Sequence, residues 1–309
     1  MTFSNQNRRT FLKTGATGLI AAALPAIPHY LMAAPQDLPI IGIQLYSLRA
    51  AMHTDPDGTL QKLAGMGYKN VEHADYRDRK FYGRPATEFK TLLDGMGLKM
   101  HSGHTSLTKN HWDESKQDFT DQWKQTVEDA ATVGQNYVIS PWMDDVYRQN
   151  YDSLVRYMDV FNKSGELCKK SGLKFAYHNH NFEFKTNFNE KSLYDIILEN
   201  TDKNLVAQQI DIGNMYGAGG RALDIIRKHP GRFELMHVKD VIKGEGGMDG
   251  YISTILGKGV AHTHQVVDYS KTHGVTVNFI IEQEEYQNLD PLVCAKQDLQ
   301  IMKGWGFNA

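Results

Sequence analysis

The chain has 309 residues, of which 41% are apolar and 23% charged, and its formal net charge is −2. This composition argues against intrinsic disorder, and the near-neutral charge argues against a nucleic-acid-binding protein, which usually carries a basic surface. Two cysteines, Cys168 and Cys294, are too few for a disulfide framework or a zinc cluster. The length fits two modest domains or one large α/β barrel of about 250 residues with additions.

The first 34 residues have a composition of their own. A twin arginine in residues 7–13 (NRRTFLK) precedes a weakly apolar run at 14–24, and small residues follow at 32–34. This layout resembles a twin-arginine (Tat) export signal, with Asn7 where that signal usually has Ser or Thr. The apolar run is shorter than the about 20 residues that span a bilayer. We therefore predict a Tat-type signal peptide at 1–34 and a periplasmic or otherwise exported protein without a stable membrane anchor; an N-terminal amphipathic helix is the alternative.

Strand-like and helical segments alternate along the rest of the chain. Several helical segments end in Gly, an apolar residue and Lys, as at Gly67, Gly97 and Gly172. Glycine is favoured just past a helix because the backbone there takes a positive φ. The recurrence of this junction indicates repeated βα units.

Eight strands are predicted, and each is followed by a helical segment. Their ranges are 39–45, 69–73, 98–101, 137–140, 173–178, 205–211, 233–237 and 276–283. This pattern predicts a single-domain (β/α)8 barrel, the TIM-barrel architecture, over residues 35–309. A doubly wound open sheet would require a Gly-rich phosphate loop after the first strand, where residues 46–49 read YSLR.

Polar side chains collect at the predicted carboxyl ends of the strands, where the active site of such a barrel forms. They are Gln44, Tyr46, Glu72, His73, His101, His104, Trp142, His178, His180, Glu183, Asp211, Asn214, His237, Lys239, Asp240, Glu282 and Glu284. A single histidine there is often structural, and a run such as 282–285 can be a solvated charged segment. The mixed imidazole and carboxylate set as a whole favours a divalent metal that accepts nitrogen and oxygen ligands.

Ordered motifs carry a resemblance to a known family. They are IGIQLYSLR at 41–49, YHNHNFEF at 177–184, IDIGN at 210–214, HVKD at 237–240, GKGV at 257–260 and IEQ at 281–283. The chain resembles the xylose isomerase-like TIM-barrel superfamily, in its sugar phosphate isomerase/epimerase branch. The resemblance implies one divalent metal ion, manganese before cobalt, zinc, iron or magnesium, held by His178, Asp211, His237 and Glu282. Many epimerases of this superfamily have Glu where this chain has His178.

The resemblance also implies a reaction, proton abstraction next to a carbonyl through an enediolate. Because the two-carboxylate mechanism does not transfer intact, we assign proton transfer to Glu183 or His180. Lys239 would add positive charge near the oxyanion, and Glu282 would act as acid or base. The expected substrate contacts are Tyr46, Glu72, His104, Trp142 and Asn214.

The enediolate leaves the outcome open. We predict reprotonation, which makes the protein an epimerase or an isomerase, and loss of a β-substituent, which would make it a lyase, is the alternative. The export signal favours a non-phosphorylated sugar or keto-sugar, and elimination from a 3-keto-glycoside remains an alternative. A non-catalytic carbohydrate-binding barrel would need no metal, and an endonuclease would need a basic DNA-binding face that this net acidic chain does not predict. The sequence leaves open whether the protein is a monomer or a homo-oligomer.

Overall fold

Eight parallel strands form a closed barrel. The computed structural model describes residues 39–273 and 276–307, so the predicted signal segment 1–34 lies outside the described residues. The barrel strands are β1 Ile40–Gln44, β2 Asn70–His73, β3 Lys99–His104, β4 Tyr137–Ser140, β5 Lys174–His178, β6 Val206–Asp211, β7 Leu235–Val238 and β8 Asn278–Ile281. Each strand pairs with its neighbour in the chain, and β8 closes the barrel on β1, with Phe279 opposite Ile41. The predicted (β/α)8 barrel is confirmed.

Eight helices alternate with the strands. They are α1 Pro56–Met66, α2 Ala86–Gly95, α3 Asp121–Val133, α4 Tyr151–Lys170, α5 Leu193–Asn200, α6 Ala222–Lys228, α7 Thr263–His273 and α8 Pro291–Gly304. Gly67 and Gly134 end α1 and α3 with φ values of 103° and 98°, as the junction motif predicts. Among the residues described, no helix combines the length and apolarity needed to cross a membrane.

Shorter helices and hairpins follow the strands at the carboxyl side of the barrel. Short helical segments follow strands at Arg49–Thr54, Phe182–Lys185 and Ile212–Tyr216. Antiparallel hairpins pair Tyr76–Arg77 with Lys80–Phe81 and Arg84–Pro85, Trp112–Asp113 with Asp118–Phe119, Asn187–Phe188 with Lys191–Ser192, and Asp240–Met248 with Tyr251–Thr254. The hairpin after β7 is absent from our predictions because its Gly-rich first strand lacks an alternating apolar pattern.

The barrel interior changes from apolar to polar along its axis. Residues two apart on a strand share a face, so Ala176 and His178 point the same way, as do Ala207 and Gln209. Ala176, Ala207, Leu235 and Ile139 form a separate buried apolar cluster. Phe175 and Tyr177, on the other face of β5, belong to the main core with the helices. The apolar cluster therefore supports a polar layer at the carboxyl ends of the strands.

Strand β3 is longer than predicted. It continues through Ser102 and Gly103, which pair with Tyr137 and Val138 of β4, and ends at His104. Ser and Gly have low strand preference, which is why the predicted strand stopped at His101. The structure corrects the position of His101, which lies in mid-strand with its Nδ1 3.4 Å from the Asn136 amide, so His104 alone of the two reaches the carboxyl end.

Candidate active site

A cavity of about 810 Å³ opens at the carboxyl ends of the strands. Seven of the predicted site residues line it: Tyr46, His104, Trp142, His178, His180, Asn214 and Glu282. Glu284 lines it as well, although we had not assigned it a role. Asp211, His237 and Lys239 lie directly behind this wall, where each is nearly inaccessible to solvent. The structure thus brings most of the predicted set together.

Lys239 stands at the centre of three carboxylates. Its Nζ lies 2.5 Å from Glu284 Oε1, 2.8 Å from Glu282 Oε2 and 3.1 Å from Asp211 Oδ2. Burial alone would lower the pKa of Lys239, but these carboxylates outweigh it and hold the pKa well above its usual value. Lys239 is therefore a fixed positive charge at neutral pH.

His237 shares the same carboxylates. Its Nδ1 lies 2.9 Å from Glu282 Oε2 and 3.7 Å from Asp211 Oδ2. Burial would lower the pKa of His237, and the carboxylates of Glu282 and Glu72 reverse that effect and raise it well above the usual value. Burial likewise would raise the pKa of Glu282, and Lys239 and His237 hold it well below the usual range. The cluster is thus a compact set of opposite charges that is buried except where Glu282 and Glu284 reach the cavity wall.

The IDIGN motif explains how Asp211 enters this cluster. Asp211 is the last residue of β6, and its Oδ1 accepts a hydrogen bond of 2.8 Å from the Asn214 backbone N–H, which caps the short helix Ile212–Tyr216. Its Oδ2 is left to face Lys239 and His237. Asn214 in turn accepts a 3.0 Å hydrogen bond from Lys239 Nζ through its side-chain oxygen. Asn214, a predicted substrate contact, therefore positions Lys239.

Gly213 leaves the space through which the Lys239 side chain passes. A Cβ at residue 213 would lie 2.7 Å from both Cγ and Cδ of Lys239. We expect Gly213→Ala to displace the ammonium and to lower turnover by about 100-fold, because misplacing a catalytic group by about 1 Å has effects of that size. Steady-state kinetics and circular dichroism of the variant test this.

The control for this change is Gly65→Ala. Gly65 lies within α1, and a Cβ there meets no atom within 4 Å. Alanine favours helix by about 1 kcal/mol over glycine, so this variant should keep full turnover and gain slight stability. Wild-type turnover in Gly213→Ala would show that the position of Lys239 does not matter.

Gln209 fixes two of the site histidines. Its Oε1 lies 2.7 Å from His104 Nε2 and 2.9 Å from His178 Nδ1, so each imidazole donates its N–H to this oxygen. The Nε2 of His178 can then act as an acceptor, and it lies 3.4 Å from the Asn214 side-chain nitrogen and 3.9 Å from Asp211 Oδ2. Burial, with the neighbouring His237 and His104, holds the pKa of His178 well below its usual value, so it is neutral. We had not predicted Gln209, although it shares a strand face with Asp211 two residues on.

Glu72 lies below the cavity and does not line it, so the predicted substrate contact at Glu72 is not supported. The carboxylate is fully buried and accepts hydrogen bonds of 2.8 Å from Gln44, 2.9 Å from Gln209 and 2.6 Å from His237 Nε2, with Ser102 as a further donor. Burial would raise its pKa, and His104 and His237 lower it to about 2. Glu72 therefore orients His237 from beneath.

The donor set fits a divalent metal ion. Asp211, His237 and Glu282 each offer one ligand atom, and these atoms lie within 4.8 Å of one another. Asp211 Oδ2 is buried and accepts no hydrogen bond from the described residues. Its 3.1 Å contact with Lys239 Nζ is an ion pair. The contact from Glu72 to His237 Nε2 is the carboxylate–histidine arrangement that turns the other ring nitrogen toward a metal. His178, the fourth predicted ligand, belongs to a second such group with His104 and His237.

Glu183 does not reach the cavity. It is fully buried, and its carboxyl accepts hydrogen bonds of 2.6 Å from the Tyr177 hydroxyl and 3.0 Å from the His180 backbone N–H. Tyr177 packs on the helix side of β5, so Glu183 lies behind the strand and fixes the segment that carries His180. Our assignment of proton transfer to Glu183 is therefore not supported by the geometry.

His180 is the other group assigned to proton transfer, and it lies in the cavity wall. Burial and the positive charge of Lys239 lower its pKa to about 4, so the imidazole is neutral at physiological pH. Its ring meets Trp142 edge-on, with ring centroids 5.5 Å apart. Trp142 and Tyr46, which also line the cavity, are 40% and 43% exposed.

The buried Glu183 carboxyl makes stability depend on pH. Burial raises its pKa from 4.5 to about 7, so between these values the unfolded chain loses a proton that the folded chain keeps. The free energy of unfolding should therefore fall by ~3 kcal/mol as the pH rises through that interval. Glu183→Gln removes this dependence and should be more stable than the wild type above pH 7.

Urea unfolding of both proteins between pH 4.5 and pH 8 measures this difference. Asp298, whose pKa burial also raises to about 7, is present in both proteins and cancels in the comparison. Parallel stability curves for the wild type and Glu183→Gln would show that Glu183 ionises normally in the folded protein.

Comparison with known proteins identifies the family of this barrel. A family model described as Xylose isomerase-like TIM barrel matches residues 60–304. The chain belongs to this family. The resemblance carried by its ordered motifs is thereby confirmed at the level of the superfamily.

Relatives of this xylose isomerase-like barrel include two inosose dehydratases. The one from Clostridium perfringens is 30% identical over 109 residues, which cover 35% of this chain and 36% of the relative. The one from Clostridium beijerinckii is 24% identical over 193 residues, which cover 59% of this chain and 62% of the relative. The chain therefore spans less than two thirds of the length of both.

A solved structure from Parabacteroides distasonis, described as a sugar phosphate isomerase/epimerase, is similar over most of both chains. It superposes with a TM-score of 0.71 at 22% identity, covering 88% of this chain and 98% of that one. At this identity the likeness establishes the fold.

Proposed function

We propose that this barrel is a divalent-metal-dependent enzyme that removes a proton next to a carbonyl group of a non-phosphorylated sugar or keto-sugar. The observation that carries the proposal is the buried cluster of Asp211, His237, Glu282 and Lys239, which reaches the wall of a polar cavity through Glu282. Buried charges are expensive to maintain and collect at functional sites. A non-catalytic sugar-binding barrel would not need such a cluster.

Asp211, His237 and Glu282 would hold the metal, with His178 beside them. Manganese suits this mixture of imidazole and carboxylate ligands. When bound, the ion supplies Lewis-acid stabilisation of the negative charge that develops on an enediolate.

The chain's own groups supply the proton transfers. His180 is neutral, lies in the cavity wall and can accept a proton from a carbon next to the carbonyl. Lys239 holds a fixed positive charge 2.8 Å from Glu282, which does line the cavity. This charge favours a negatively charged intermediate at that wall and keeps Glu282 ionised.

The distribution of carboxylates favours elimination over epimerisation. Glu282 and Glu284 both follow β8, whereas Trp142 and His180 follow β4 and β5 on the opposite side of the barrel. A two-carboxylate epimerase needs an acid on each side of the sugar, and His178 stands where the second one is usual. In an elimination, one group removes the proton and another protonates the leaving oxygen as its bond to carbon breaks. The similarity to inosose dehydratases supports the same reading, with isomerisation or epimerisation as the second candidate.

The cations of the cavity wall support a substrate without phosphate. Arg77 and Arg79 line the cavity, but Arg77 pairs with Asp75 at 2.8 Å and Arg79 pairs with Asp129 at 2.7 Å. A phosphate group would have to compete with both aspartates. A sugar recognised through hydroxyl groups meets no such competition.

Incubation with sugars and keto-glycosides in deuterated water with Mn²⁺ tests the reaction, followed by NMR. We expect deuterium next to a carbonyl, and loss of a β-substituent where the substrate carries one. The absence of both with every compound, in protein shown to contain metal, would refute the proposal. Asp211→Asn is the control for background enolisation.

We also propose export, on the sequence of residues 1–34 alone. Replacing Arg8 and Arg9 with lysines keeps the charge but removes the twin-arginine motif. Cell fractionation should find the wild type outside the cytoplasm and the Arg8→Lys/Arg9→Lys variant inside. Equal export of both would exclude the twin-arginine route.

A further inference from the structure

The cavity extends well beyond the charged cluster. Its second half is formed by the Tyr76–Arg77 hairpin after β2, by residues 105–106 after β3 and by the first turns of α3. A volume of about 810 Å³ lies near the upper end of the roughly 300–1,000 Å³ typical of ligand sites. This is more space than one sugar ring beside the cluster would fill.

In this second half of the cavity, called the outer half below, both arginines are paired with aspartates. Asp129 of α3 accepts hydrogen bonds from Arg79, at 2.7 and 2.9 Å, and from the Tyr76 hydroxyl at 2.8 Å. Arg77 pairs with Asp75. These contacts attach the hairpin to α3 and neutralise both arginines, whereas Asp78, which also lines this half, has no ion pair among the described residues. The wall therefore disfavours an anionic group and suits hydroxyl groups, which can donate to Asp78.

Besides Asp78, four neutral polar side chains remain for a ligand: Thr105, Ser106, Gln122 and Gln125. Among the described residues, none of these side chains is hydrogen-bonded to another protein group through its amide or hydroxyl. Each amide and hydroxyl both donates and accepts, which matches the hydroxyl groups of a sugar. Gln122 and Gln125 project from one face of the helix, since they are three positions apart.

We propose that this outer half is a second subsite, which binds an uncharged, hydroxylated ring joined through oxygen to the reacting sugar. The substrate class is then a disaccharide or glycoside carrying a ketone. This inference rests on the proposed function and specifies its substrate. The reacting ring lies at the cluster, and the attached ring lies between the hairpin and α3.

The test compares one-ring and two-ring substrates that share the reacting ring: a methyl keto-glucoside and the corresponding keto-disaccharide. The wild type should have a higher kcat/KM for the two-ring compound. Gln122→Ala/Gln125→Ala should lose about 10-fold or more of that value, because it removes two sets of hydrogen bonds, and should be unchanged with the one-ring compound. Alanine is a good helix former, so α3 should persist.

Gln61→Ala is the matched control, because Gln61 is an exposed glutamine of α1 away from the cavity. Equal kcat/KM for the two substrates, or equal loss with both in the double variant, would overturn the subsite. Saturation-transfer NMR with unreactive cellobiose and maltose provides a readout independent of turnover. Contacts to both rings in the wild type but to one ring in the variant would support the subsite, whether or not any compound is turned over. The absence of turnover with every compound would refute only the proposed reaction. Identical contacts in the wild type and the variant would overturn it.

Discussion

Replacing Asp211 with asparagine is expected to abolish turnover and to weaken metal binding by more than about 100-fold, since even groups that only support a ligand contribute 10–100-fold. Asparagine keeps the oxygen that caps the helix Ile212–Tyr216 but loses the charge that faces Lys239 and His237. The fold should therefore survive. Calorimetric titration of dialysed protein with Mn²⁺, beside kcat, measures both effects.

Asp211→Ala separates the two roles of this residue. It removes the cap as well as the charge, and loss of a cap lowers stability by about 1 kcal/mol. Glu282→Ala should also abolish activity and metal binding, although Glu282 caps no helix. Asp224→Asn, at an exposed position in the first turn of α6, is the control. Near-wild-type turnover in either Asp211→Asn or Glu282→Ala would show that the site lies elsewhere.

Lys239→Met is expected to lower turnover by at least about 100-fold, the lower end of what a proton-transfer group or fixed charge contributes. Methionine keeps most of the side-chain volume but leaves Asp211, Glu282 and Glu284 without their shared cation. The metal-free variant should lose about 3 kcal/mol of stability, as expected when one partner of a buried ion pair is removed.

Metal should then stabilise this variant more than it stabilises the wild type, because it restores a positive charge among the three carboxylates. Thermal unfolding with and without Mn²⁺ measures this difference. Lys243→Met, at an exposed position on the hairpin that follows Lys239, should leave turnover and stability unchanged. Equal metal-dependent stabilisation of Lys239→Met and the wild type would contradict the balancing role of Lys239.

The barrel was predictable because its signals are local and repeated. Gly67 marks a helix end by its backbone conformation, and β8 contains the continuous apolar run 279–281. The predicted end of β3 at His101 was wrong because the signal there is not local. Ser102 and Gly103 have no strand preference of their own, and pairing with β4 decides their conformation.

That these polar residues lie together was predictable from the sequence, but the depth and direction of their side chains were not. His178 and Asp211 end their strands, His237 lies one residue before the end of β7, and strand alternation turns all three inward. Glu72 points inward too, but it lies too deep to meet a substrate. Glu183 follows a turn, where alternation no longer fixes direction, and it lies behind β5 with Tyr177. The wall formed by Gln122 and Gln125 was missed because both belong to an amphipathic helix whose polar face normally meets solvent.

The hydrogen bonds of Gln209 constrain how this barrel could evolve. A glutamate in place of His178, the residue found in many related epimerases, would present an oxygen to the Gln209 oxygen that now accepts the His178 N–H. Rotating the amide would relieve that repulsion, but it would turn the same oxygen toward the carboxylate of Glu72 and take the acceptor from His104. Substitution at residue 178 is therefore epistatic with residue 209. A lineage that passes between the two chemistries has to change both positions, in an order that keeps Glu72 satisfied.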